Sequence, residues 1–221
     1  ICVAAKNCGN SSPTKPAVAS TIKSAMSTQI FTLSLRPESG AAYPQTVLSS
    51  QAAGARDKEI WALVPAEAIS WHRINLPAGL QKQSNRLAAA LQSLMEERLL
   101  EEPELLHLAL QPEWEANAPA WVAACNKAWL QQHLAQLQTM GHVVHRIVPE
   151  WVPNTQAGGV SAWISGVPED AWLWVSDTQG AWRLPLEAGI QFWLEKIKSA
   201  ANQQDIPTQL LIQADPAVAE L

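Results

Sequence analysis

Five glutamates fall close together, Glu96, Glu97, Glu101, Glu102 and Glu104, in the run SLMEERLLEEPELL. Clustered carboxylates serve either a divalent cation or a basic surface. Cation loops need acidic residues interleaved with glycine and backbone carbonyls at fixed spacing, and that spacing is missing here. A plain solvated helix end is the first reading of the cluster, and a docking surface for a basic partner is the sharper alternative. A second candidate lies further on. Centring a hairpin on Thr178-Gln179 sets Val175 opposite Trp182 and Trp174 opposite Arg183. Trp174 and Arg183 then stack as a cation–π pair, either buried in a sheet sandwich or offered to a partner, since tryptophan is enriched among interface anchors.

Other reactive side chains do not assemble into a constellation. His142 and His145, with His133, lack a fourth metal ligand, and within one strand the first two would face opposite sides. Cys125 sits beside Asn126 with no elbow motif and no adjoining base, so a buried structural cysteine is expected. The phosphate-cradling patterns GxxxxGK[ST] and GxGxxG and the nucleophile pattern GxSxG are all missing from the chain. No catalytic, cofactor or metal residues are therefore expected, and the chain is not expected to be an enzyme.

The elements that position these residues centre on Leu87–Leu110. Leu87, Leu91, Leu94 and Met95 fall at i, i+4, i+7 and i+8, the apolar stripe of an amphipathic helix. The Glu-rich stretch and Pro103 are expected to end it, and Leu106, Leu108 and Leu110 then alternate as a half-buried strand. Lys82 and Arg86 lie at the start of this helix and the glutamates crowd its end, broken only by Arg98. That order opposes the helix dipole, whose preferences are worth about 0.3–1 kcal/mol per exposed charge.

In chain order, residues 1–25 hold three lysines, no acid and many Ser, Thr and Ala, and are expected to be a disordered extension. The chain begins with Ile1, and Met26, just before the first strand, is the expected true start. Strands are expected at 30–36, 45–49, 60–64, 71–76, 105–110, 120–124 and 143–148. A helix capped by Asn126 carries Leu130, Leu134 and Leu137 and stops at Gly141. Residues 154–160 read as a linker between a first α/β domain, 26–153, and the start of a second, 161–221. In the second, strands 171–176 and 181–186 flank the turn Asp177–Gly180, followed by a helix over 186–200 with Ile190, Trp193, Leu194 and Ile197 on one face, and a strand at 209–213. Trp61, Trp71, Trp121 and Trp129 belong to core elements. The class is mixed α/β.

Composition narrows the function. A hydrophobic content of 48% with 16% charged residues is globular. A net charge of −5 argues against a nucleic-acid surface, which needs clustered Lys and Arg. Three cysteines, Cys2, Cys8 and Cys125, with no CxxC spacing, fit a reduced compartment. The sequence holds no run of about 18 apolar residues that would span a membrane.

The run ALQSLMEERLLEEPELLHLAL, preceded by WALVPAEAISWHRINLPAG and followed by AWVAACNKAWLQQHLAQLQTMG and HRIVPEW, resembles the cytoplasmic region of the type II secretion system protein L (GspL) family. The four blocks are in register from Ile60 to Trp151. The resemblance implies an actin-like ATPase architecture of two ribonuclease-H-like domains, the second incomplete here. It also implies a non-enzymatic scaffold on the cytoplasmic face of the bacterial inner membrane. Such a scaffold recruits the secretion ATPase, protein E, and joins it to platform proteins M and F, with homodimerisation possible. Family members carry a membrane helix and a periplasmic domain after this region, so the chain reads as a truncated version, attached through partners or a missing C-terminal helix. The competing class is a nucleotide-binding actin-like ATPase or pilus-assembly protein. It would need an acid and Gly, Thr or Ser amides in its phosphate hairpins. The first strand, Ile30–Arg36, has no Asp and no glycine before Gly40, and Asp177–Gly180 lacks a glycine pair.

Overall fold

A computed structural model of the chain describes residues 28–35, 45–48, 59–80, 85–154, 159–202, 209–216, 218 and 219. It divides into two compact units, the first ending at Trp151 and the second starting at Val152. Expectations for residues 1–25, for Met26, Lys82, Cys2 and Cys8, and for the loop after the first strand lie outside the described residues.

The first unit holds two sheets. In one, β1 (Thr28–Thr32) pairs antiparallel with β2 (Gln45–Leu48) and parallel with β3 (Glu59–Val64), which pairs parallel with β7 (Arg146–Pro149). In the other, β6 (Pro119–Asn126) lies between β4 (Ser70–Asn75) and β5 (Leu106–Leu110), all antiparallel. Each sheet buries one face under a helix. Helix α1 (Asn85–Glu96) sets Leu91 and Met95 on Ile74, Ala120 and Val122, with Leu94 half-buried beside them. Helix α2 (Lys127–Thr139) sets Leu130 and Leu137 on Phe31, Ile60, Ala62 and Val64. Both helices follow from periodicity, because their apolar residues form one stripe and the sheets supply its cover.

The ends of α2 are written in its sequence. Asn126 Oδ1 accepts from the Trp129 amide at 2.9 Å, satisfying one of the unpaired first-turn donors. At the other end Gly141 takes φ +83°, and the His142 amide reaches the Leu137 carbonyl at 3.0 Å, the wrapped stop that glycine permits. The strand expected from Val143 starts only at Arg146, because residues 142–145 do other work. The His142 ring packs on Phe31 at 4.6 Å, and His145 bonds the Ile60 backbone twice, through its amide at 2.8 Å and through Nδ1 at 3.0 Å.

The central helix differs more from expectation. It ends at Glu96, well before Pro103, and residues 97–102 form turns leading to a 3₁₀ turn, Pro103–Leu105. The Arg98 and Leu99 amides both close on the Met95 carbonyl, at 2.9 and 3.0 Å. Continued helix would have stacked Glu97 under Glu101 at the i,i+4 spacing and loaded the negative end of the dipole with acids. Turning at Glu96 avoids both.

In the second unit β8 (Gly159–Val167), β9 (Asp170–Ser176) and β10 (Ala181–Pro185) form a meander, and β11 (Gln209–Ala214) lies parallel to β8. The glycines before β8 read as linker in the sequence and hide that strand. Gly166 shapes the β8–β9 corner with φ +107°, and a Cβ there would lie 2.3 Å from the Asp170 carbonyl oxygen. Helix α3 (Leu186–Asn202) packs Leu186 and Trp193 on Leu173 and Val175. Ile190 and Leu194, expected on the same buried face, are exposed at 43% and 44%. Among the described residues no helix is long and apolar enough to cross a membrane. Both units are mixed α/β, as expected.

Candidate partner-binding site

The glutamates do not form a helix end. Glu96 is the last residue of α1, Glu97 begins the turn, Glu101 and Glu102 precede the 3₁₀ turn, and Glu104 lies inside it. All five are exposed. The opposition to the dipole is thereby confined to Glu96 and Glu97, since the effect fades beyond the last turn. Arg98, the basic residue within this segment, donates from Nη1 to the Arg73 carbonyl at 3.1 Å, which ties the loop to β4. The acidic segment is thus a surface loop on a fixed backbone.

Behind it lies a cleft of about 440 Å³ lined by Ile69, Ser70, His72, Leu99, Leu100 and Cys125 among others. Ser70 Oγ and His72 Nε2 lie 3.0 Å apart. Burial, helped by the nearby Arg98 charge, holds the His72 imidazole below its ordinary pKa, so the ring is neutral at pH 7. Cys125 is 9% exposed and burial pushes its thiol up to about 11, the inert cysteine that was expected.

The second candidate occupies the face of the β8–β9–β10 sheet turned away from α3. The register is the expected one, Arg183 opposite Trp174 and Trp182 opposite Val175. The Arg183 guanidinium lies 5.2 Å from the Trp174 ring but only 3.8 Å from Trp172, the diagonal neighbour. Trp174 itself is buried, stacked on Trp163 at 6.1 Å and donating from Nε1 to Ser165 Oγ at 2.9 Å. Arg183 and Trp172 are therefore the reachable members. The period-two spacing of Trp172 and Trp174 carries the signal for that pairing in the sequence.

The histidines are spread through the packing. His133 is buried with its ring edge-on to Trp129 at 4.8 Å, and burial lowers its pKa. His142 and His145 are held as described above. Among the described residues no three His, Cys, Asp or Glu side chains converge as metal ligands. Trp61 and Trp121 are buried, while Trp71 and Trp129 are half-buried.

Of the two α/β units, one carries an exposed acidic loop and the other an aromatic–arginine sheet face. A family model for type II secretion system protein L matches residues 19–206, and the chain belongs to that family. Protein L of Klebsiella pneumoniae is 30% identical over 122 residues, which are 54% of this chain and 28% of that protein. Protein L of Dickeya chrysanthemi is 29% identical over 116 residues, 52% of this chain and 27% of that protein. The matched stretches thus span under a third of the length of these curated relatives. Similar solved structures include the cytoplasmic domain of EpsL, an inner membrane component of the Vibrio cholerae type II secretion system. It shares 16% identity at a TM-score of 0.47, over 73% of this chain and 72% of that one. A Bacteroides thetaiotaomicron protein with an actin-like ATPase fold matches at 10% identity and a TM-score of 0.39, over 85% of this chain and 91% of that one. The PilM–PilN type IV pilus biogenesis complex matches at 14% and 0.34, over 57% and 43%.

Proposed function

We propose that this chain is a non-enzymatic scaffold of type II protein secretion, acting at the cytoplasmic face of the inner membrane. In this reading it recruits the secretion ATPase, protein E, and links it to platform proteins M and F. The observation that carries the reading is the family match over residues 19–206. Glu96, Glu97, Glu101, Glu102 and Glu104 supply the first docking surface, and Arg183 beside Trp172 and Trp174 supplies a second. Exposed charges of one sign on a fixed loop raise the association rate of an oppositely charged partner, an effect that salt weakens.

The test is capture of the N-terminal domain of the cognate secretion ATPase by the purified chain. Binding is expected, and replacing Glu97, Glu101 and Glu102 with glutamine is expected to slow association at low salt and to matter less at high salt. Failure of the wild-type chain to bind that domain refutes recruitment. Tight magnesium-dependent ATP binding by the chain overturns the non-enzymatic reading in favour of an actin-like nucleotide binder.

A further inference from the structure

The early end of α1 opens a cleft of mixed apolar and polar lining on the face of the sheet that the helix otherwise covers. Ser70, His72 and Ile74 share a face of β4 with Ala124, Val122 and Ala120 of β6, and Leu106, Leu108 and Leu110 of β5 share it too. Ile74, Ala120 and Val122 lie under Leu91 and Met95. Further along the same strands Ser70, His72, Ala124 and Leu106 line, with the loop Arg98–Glu101, a cavity of about 440 Å³.

The rim of that cleft has an unusual pairing of side chains. Leu100 is fully exposed, at 106%, and Leu105 is 55% exposed. Neither sits on a loose strand of chain. Two amides closing on the Met95 carbonyl hold the residues before Leu100, and the Leu105 amide closes on the Glu102 carbonyl at 2.9 Å. Leu100 lines the cleft itself, so an apolar side chain stands free at its edge. The five exposed glutamates flank these leucines in sequence, and Arg98 within the same segment is engaged with the Arg73 carbonyl.

We propose that the cleft between the Arg98–Glu101 loop and the β4–β6–β5 sheet receives a basic amphipathic helix of a partner protein. The apolar stripe of that helix seats on Leu100, Leu105 and the cleft floor, and its Lys and Arg flanks meet Glu97, Glu101 and Glu102. Charge complementarity selects a basic occupant, and the exposed Leu100 and Leu105 set among the acids select one whose apolar residues run in a stripe. A cavity of this size takes a few side chains of one stripe. The proposal rests on the docking reading of the acidic loop and names the partner's chemistry.

Three synthetic peptides of equal length test it by fluorescence anisotropy with the purified chain. One carries Leu at i, i+3, i+4 and i+7 with Lys elsewhere, the second keeps the Leu positions but replaces Lys with Glu, and the third has the first composition scrambled. The first is expected to bind and the other two to bind at least tenfold more weakly. Leu100→Ser and Leu105→Ser change side chains that stand in solvent, and circular dichroism checks that the fold is kept. Each is expected to weaken the first peptide severalfold, and the double variant at least tenfold. Equal binding of the scrambled peptide, or binding unmoved by the double variant, overturns the proposal. The same variants separate it from the scaffold reading. If the secretion ATPase domain binds and ignores the double leucine variant, the cleft assignment fails and recruitment stands. If the ATPase domain does not bind at all while the Leu–Lys peptide binds through Leu100, recruitment fails and the cleft assignment stands.

Discussion

Truncating Leu91 to alanine tests the packing of α1, on which the cleft and the acidic loop both depend. Leu91 is 7% exposed and packs with Met95, which is fully buried, on Ile74, Ala120 and Val122. Three carbons are removed, and at about 0.8 kcal/mol for each buried methylene the transfer loss is about 2.4 kcal/mol. The hole adds a cavity term, kept small here because the flexible Met95 side chain can move into it. Leu91→Ala is therefore expected to cost about 3 kcal/mol, inside the usual 2–5 kcal/mol for such sites. At about 2–4 °C per kcal/mol for a chain of this size, the melting temperature should fall by about 6–12 °C. Leu94 is half-buried beside the same cluster, so Leu94→Ala should cost about half as much. Urea unfolding followed by circular dichroism reads both. A loss below about 0.5 kcal/mol for Leu91→Ala, or a larger loss for Leu94→Ala, refutes the assigned helix face.

Asn126→Ala should cost about 1 kcal/mol through the lost cap to the Trp129 amide, and Asn126→Asp should retain most of it. Buried His133, with its pKa lowered by burial, is protonated more readily in the unfolded chain. Stability should thus be complete above the ordinary histidine value of about 6.5 and fall as pH drops below it, by at most about 1.4 kcal/mol per pH unit for this group. His133→Gln should flatten the decline in the urea midpoint between pH 7.5 and 5, and an unchanged slope contradicts the assignment. Gly166→Ala should destabilise the second unit by more than about 1 kcal/mol, because φ is +107° and the new methyl meets the Asp170 carbonyl. Hydrogen exchange in β8 and β9 would reveal it as faster opening.

Features governed by neighbouring residues were legible in the sequence. The Asp177–Gly180 turn fixes the β9–β10 register, so Arg183 falls opposite Trp174, and Asn126 and Gly141 mark the two ends of α2 because capping is local chemistry. Features decided across the fold were not. The end of α1 depends on Leu99 packing into the core and Arg98 reaching β4, contacts that sequence spacing does not reveal. The acids at that end did carry the warning, since a helix terminus that repels its own side chains is a poor place to continue. For α3, periodicity gave an apolar stripe wider than its sheet, and only Leu186 and Trp193 of the side chains described find cover there. The acidic loop was visible as composition, but the solvent-facing position of Leu100 beside it was not.

The Cys125 thiol shows what its setting does to its chemistry. With a pKa of about 11, the reactive thiolate makes up about one part in ten thousand at pH 7. Oxidants, electrophiles and soft metals all attack through that form, so this sulfur, packed with Phe31, Leu130 and Leu137 in the core under α2, is slow toward each of them. The residue works there as a small apolar filler. A swing in the surrounding redox state therefore leaves the packing between α2 and its sheet as it was.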